Sequence, residues 1–271
     1  GCAFSRLGGG GVHASNGTRW LDVAASSFEA LGESGVVLSG NATSQVVNAT
    51  VRESSFRSVG ELLYSSAAVL LTAASHVRVA ANDISHTARW GVAFHDEPTG
   101  HATFNVVEDN RISDTGLATA TLGAISASGD DGALSHTVIR HNCVRRATGL
   151  GNGDVWPYEV RSPYYAYSVF LDNAASGYTV SGNVLREPER AAVRVHHGRE
   201  NAIVNNVFFN TTNIERSSSV GAFEIAVKTS STYNTTANAF SRNVVYLWNA
   251  TTRSVLYSAR DEWRDDALEP V

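Results

Sequence analysis

Methionine is absent from the 271 residues, and the single lysine, Lys228, stands against twenty arginines. The opening GCAF has neither an initiator nor a signal-peptide pattern. The chain is therefore expected to be an excerpt of a longer protein, one domain over 1–271 truncated at both ends. Long hydrophobic runs are also missing: stretches such as AAVLL, 67–71, fall far short of the roughly 20 residues a membrane-spanning helix needs. Positive charge is scarce and scattered, 21 basic against 26 acidic residues for a net −5. That leaves no electrostatic footprint for nucleic acid or an anionic membrane. Proline occurs only at 98, 157, 163, 188 and 270, outside every strand-like run. A parallel ladder requires this, because proline cannot donate a ladder bond.

What the chain does have is a repeat. An apolar residue is followed three positions later by Asn or Ser and two after that by another apolar residue, with the polar landmark at 26, 54, 82, 110, 142, 183, 206 and 243. The first three spacings are all 28 residues, the signature of a solenoid. After each landmark comes a short β-rich run: GVVL (35–38), AVLL (68–71), GVAF (91–94), AISA (124–127), SVFL (168–171), AVRV (192–195) and EIAV (224–227). These runs are too short for helices and are bounded by turn residues. The expected fold is all-β, a parallel β-solenoid, with the Asn/Ser column forming an internal ladder of side-chain hydrogen bonds. Cys2 and Cys143 fall five coils apart, about 24 Å at ~4.8 Å per coil. That is beyond the ~7 Å between Cα atoms that a disulfide tolerates, so the two cysteines say nothing about redox compartment.

Alternation along the second strand of each coil defines two outward columns. One reads His13, Val37, Leu70, Ala93, Ser126, Phe170, Arg194, Ala226, and the other Ser15, Ser39, Thr72, His95, Ser128, Asp172, His196, Lys228. Chemistry concentrates in the later coils. Asp172 is expected beside His196 with Lys228 one coil beyond, and Asp130 and Asp131 close the neighbouring run. Carboxylates and an imidazole on adjacent rungs suit acid–base or nucleophilic work on a sugar. The same residues also suit a charge-balanced sheet face. The coil between Asn142 and Asn183 is lengthened to 41 residues, an inserted loop over 146–166 that carries Trp156, Tyr158 and Tyr165, whose flat rings suit stacking on saccharides. Six Asn-X-Ser/Thr sequons, at Asn16, Asn41, Asn48, Asn210, Asn234 and Asn249, mildly exceed the roughly 3.6 that composition gives by chance. They are compatible with a secreted or cell-surface glycoprotein.

SVFLDN with the following ASG resembles the "GIYLDD..SG" strand of secreted right-handed parallel β-helix proteins of the pectin-lyase-like superfamily, notably glycoside hydrolases of family 141 type. LGAISASGDDGALSHTVIRHN, 122–142, is similar to their "GAIY.GRDW....VIR.N" coil, and GCAFSRLGGGGVHAS, 1–15, to their "C.F..LGG.GV.L.G" coil. The resemblance implies a right-handed parallel β-helix. It places Asp172 at the first Asp of "LDD" and Asp130 or Asp131 at the Asp of "GRDW". This sequence departs at Asn173, Phe170 and Thr121, where the pattern has Asp, Tyr and an acidic residue. Asn keeps hydrogen bonding there but loses the charge.

Three readings of function follow. The first is a glycoside hydrolase on a plant or algal polysaccharide, with Asp172 and Asp131 or Asp130 as the paired carboxylates, supported by His196. Arg194, His95, Trp156, Tyr158, Tyr165, Phe170 and Lys228 would then hold substrate. The second is a lyase or epimerase on uronates, with Lys228, Arg194 or His196 taking the C5 proton and Ca²⁺ as a possible cofactor. No cofactor is implied otherwise. The third is a non-catalytic carbohydrate-binding or adhesive module, a monomeric domain of a larger chain.

Overall fold

The computed structural model describes residues 1–95, 100–129, 131–149, 165–210, 221–226, 236–247 and 259–260. Among them there is no helix, and the strands form three long sheets of nine, nine and eight strands. One coil runs from Ala3–Leu7 in the first sheet to Val12–Ser15 in the second and Asp22–Ala24 in the third. Ser27–Leu31 then begins the next rung, pairing in parallel with Ala3–Leu7. Successive coils repeat this path, with Val23, Val51, Val79, Val107, Ile139, Val180 and Ile203 in one register. No helix in the described residues is long and apolar enough to cross a membrane.

The repeat acquires a physical role in the tight turn between third and first sheets. Ser54 Oγ accepts the backbone N–H of Ser26, and Asn82, Asn110, Asn142, Asn183, Asn206 and Asn243 accept in the same way from the rung before, at 2.9–3.1 Å. Within this column each asparagine from 82 to 206 also donates its amide sideways to the next at 2.9–3.0 Å. The buried turn backbone is satisfied by this column. Beside it the rings of Phe4, Phe28 and Phe56 stack at 4.9 and 4.6 Å. Burying each such side chain stabilises the fold by about 1.5–3 kcal/mol. One continuous core extends from Ala14 to Phe208.

A second ladder escapes the sequence pattern. At the turn entering the third sheet, Asn105 Oδ1 accepts from Val77 N, Thr137 Oγ1 from Asn105 N, Asn201 Oδ1 from Tyr178 N and Asn238 Oδ1 from Asn201 N. Of the segment expected as an inserted loop, Arg146 and Ala147 instead close the strand Cys143–Ala147, and Ala166 opens Ala166–Asp172. Positions 150–164 lie outside the described residues.

The outward columns hold in register from His13 to Arg194 and from Ser15 to Asp172. The last coil differs. Arg194 pairs with Glu224 and His196 with Ala226, two residues from the expected partners Ala226 and Lys228. A two-residue slip leaves inward and outward faces unchanged, so alternation alone cannot detect it.

Candidate active site

Asp172 ends the strand Ala166–Asp172, and His196 ends the next, Ala191–His196. His196 Nδ1 lies 2.5 Å from Asp172 Oδ1. The same oxygen accepts the backbone N–H of Asn173 at 2.9 Å. Among the described residues nothing bonds Oδ2. Asn173 and Ala174 turn the chain with φ of 45° and 65°, and the Asn173 amide donates to Ser128 Oγ at 3.3 Å. The residue that departs from the acidic pattern thus braces the turn from the preceding rung.

The imidazole is the more buried of the pair. Side-chain exposure is 22% for Asp172 and 13% for His196, and His196 Nε2 is buried. His197, with φ of 63°, brings its buried ring to a centroid distance of 3.8 Å from that of His196. Its position one residue on would put it on the opposite face of a regular strand, and only the left-handed turn returns it. His–His at 196–197 is the one sequence signal that pointed to it.

Two expected ligand contacts are corrected. Phe170 and Arg194 are 2% and 6% exposed and closed to a substrate. They pack in a second apolar layer outside the coil, where Tyr167, Phe170 and Ala191 cluster with Tyr165 against them. Tyr167 Oη accepts from Arg194 Nη1 at 2.7 Å, and the Arg194 guanidinium lies 5.3 to 5.7 Å from the Phe170, Tyr167 and Tyr165 rings. Cation–π contact is therefore its visible role. Tyr165, half-buried, faces the guanidinium of Arg190 at 3.9 Å. His95 stays partly exposed in the Asp172 column and meets Trp90 edge-on at 4.8 Å.

Asp131 is 59% exposed. Its Oδ1 accepts from Ala133 N at 2.9 Å and its Oδ2 lies 3.3 Å from His101 Nε2. The structure brings Asp172 together with His196, and Asp131 with His101. Asp130, Trp156, Tyr158 and Lys228 lie outside the described residues. Among those described, no three His, Cys, Asp or Glu side chains gather as a metal-binding group.

Stacked parallel coils with an amide ladder make the comparison with known families direct. The profile of the family described as "Right handed beta helix region" matches residues 1–156, more than half of the chain. The chain belongs to that family. Among curated proteins none matches it. Among solved structures this right-handed β-helix is similar to an alginate lyase from Paenibacillus sp. str. FPU-7, with 15% identity over 90% of this chain and 95% of that one, at a TM-score of 0.38. It is also similar to the catalytic domain of a GH87 alpha-1,3-glucanase in complex with tetrasaccharides, with 10% identity over 91% of this chain and 47% of that one, at 0.48. A third is the tailspike protein of E. coli bacteriophage HK620 in complex with pentasaccharide, with 12% identity over 84% of this chain and 45% of that one, at 0.40. The β-helix spans about half the length of the latter two. At such identities likeness speaks to fold alone.

Proposed function

We propose that this β-helix is a glycoside hydrolase acting on a polysaccharide, with Asp172 as the reacting carboxylate. One observation carries the reading. Asp172 is partly exposed and held through Oδ1 by His196 and the Asn173 N–H, while Oδ2 has no bond among the described residues. A carboxylate fixed on one oxygen and open on the other can attack an anomeric carbon or deprotonate a water. His196 acts through Asp172 as a positioning residue. With Nε2 buried, it is badly placed to take the C5 proton of a uronate, which weighs against elimination, the second reading.

The general acid is assigned to Asp131, three positions past Ser128, the register partner of Asp172. Asp130, its neighbour in sequence, is the alternative. Separations of about 5–5.5 Å or about 6.5–9.5 Å between the paired carboxylates would give retention or inversion respectively. We extend the reading to a secreted setting, with half-buried Tyr165 as a stacking ring for the glycan.

The test is a panel of neutral and uronate-containing polysaccharides, wild type beside Asp172→Asn. New reducing ends without absorbance from an unsaturated uronate, lost in Asp172→Asn, support hydrolysis. Unsaturated products would shift the assignment to elimination. Glycan binding unchanged in Asp172→Asn, with no turnover on any substrate, would make the domain a binding module.

A further inference from the structure

Far from Asp172 in the coil path, where each coil enters the third sheet, one rung position is left-handed throughout. Trp20, Asn48, His76, Phe104 and His136 have φ of 61°, 57°, 55°, 55° and 53°. Each stands three residues before the register-matched Val23, Val51, Val79, Val107 and Ile139. The conformation throws these side chains outward: Trp20 is 75% and Phe104 51% exposed. His76, Phe104 and His136 stack face to face, with centroids 5.3 and 5.0 Å apart and planes within 20° and 16°. Between Trp20 and His136 the ladder of rings has one gap, at Asn48. Trp20 and His76 are two rungs apart, about 9.6 Å at ~4.8 Å per rung, which leaves room for one ring between them.

Asn48 opens the sequon Asn48-Ala49-Thr50. Its backbone N–H is fixed on Ser75 O at 3.1 Å. Its side chain is partly exposed and makes no hydrogen bond among the described residues. Asn41, another sequon, differs: its Oδ1 accepts from Thr43 N, Thr43 Oγ1 and Ser44 N, so it serves its own turn.

We propose that Asn48 is an N-glycosylation site whose first N-acetylglucosamine fills the missing rung between Trp20 and His76. The donor is an oligosaccharide carried on a polyprenyl diphosphate in a secretory lumen. Asn48 Nδ2 bonds to the sugar C1 as the C1–O bond to diphosphate breaks, Nδ2 loses one proton, and the polyprenyl diphosphate leaves, with no change of oxidation state. The pyranose chair presents C–H groups on both faces, which suits aromatic rings above and below. This inference rests on the secreted setting proposed above and is independent of the reading of Asp172.

The test is secretion of the full chain from a eukaryotic host, with site-resolved glycopeptide mass analysis and timed release of glycan from the native protein by a peptide N-glycosidase. Asn48 is expected to carry glycan, and Trp20→Ala to speed its native release about three- to tenfold, while Trp20→Tyr keeps it slow. Trp20 is largely exposed, so folding survives the change, and a melting curve checks it. An unmodified Asn48 in the secreted protein overturns the site. A release rate unchanged in Trp20→Ala overturns the stacked rung.

Discussion

Asp172 Oδ1 and His196 Nδ1 meet at 2.5 Å across adjacent rungs, the one place in the second sheet where an outward carboxylate is tied to an imidazole among the described residues. If Asp172 performs the chemistry and His196 positions it, the two substitutions separate. Asp172→Asn is expected to lower kcat by about 10²–10⁴-fold. His196→Ala is expected to cost less, and His196→Asn less again, because its amide can donate to the same oxygen. Steady-state kinetics on the best substrate reads the ranking. Equal losses in His196→Ala and His196→Asn, each as large as that of Asp172→Asn, would place the imidazole itself in the reaction.

The inner ladder makes a stability prediction. Asn110 uses its whole amide: Nδ2 donates to Val79 O and Asn142 Oδ1, and Oδ1 accepts from the backbone and side chain of Asn82. Asn110→Ala strands several buried groups and is expected to destabilise by about 2–5 kcal/mol. Ser54→Ala, which removes a hydroxyl with fewer bonds, is expected to cost about 1 kcal/mol. Guanidinium unfolding of the two variants compares them, and equal midpoints would contradict the ladder as the device that satisfies the turn.

Why this ladder was legible and other features were not follows from periodicity. Ser26 to Asn243 keep a fixed offset from inward apolar residues on both sides, so spacing alone reveals the coils. Asn105, Thr137 and Asn201 stand five residues before the landmarks Asn110, Asn142 and Asn206, but the residue type at that offset varies from coil to coil, so the type pattern does not mark them. Phe170 and Arg194 occupy outward positions correctly read from alternation, but alternation cannot say whether an outward side chain is covered. Glu224 takes the rung opposite Arg194, where a shift by two preserves every face. Asp172 beside His196 was legible because both the coil repeat and the strand alternation demand it.

Both cysteines are free and exposed. Cys2 precedes the strand Ala3–Leu7 and Cys143 opens Cys143–Ala147, five coils along the same sheet, so no native rearrangement can join them. Native alkylation is expected to add two adducts with no change in melting temperature. On oxidation the only disulfides expected are between chains, seen as reducible dimers on a gel. A single adduct in the native protein would contradict the exposed placement.

Glu108 gives the fold an acid-sensitive point. It is 6% exposed, and its oxygens accept from Arg78 Nε at 2.6 Å and Arg140 Nε at 2.7 Å. Burial alone would raise its pKa, but the hydrogen bonds from Arg140 and Arg78 outweigh burial and hold the carboxyl below its ordinary value. Asp114 is lowered too, chiefly by its hydrogen bond to Arg146, against burial. A carboxylate whose folded pKa is depressed contributes stability that is fully present above the unfolded pKa and is lost as pH falls through the folded one. Glu108→Gln is therefore expected to destabilise at neutral pH by about 1–3 kcal/mol, and to differ progressively less from wild type below the usual glutamate range. Thermal unfolding of both proteins from pH 7 downward measures this. A stability gap that stays constant with pH would mean that Glu108 holds its two arginines through shape and not through charge.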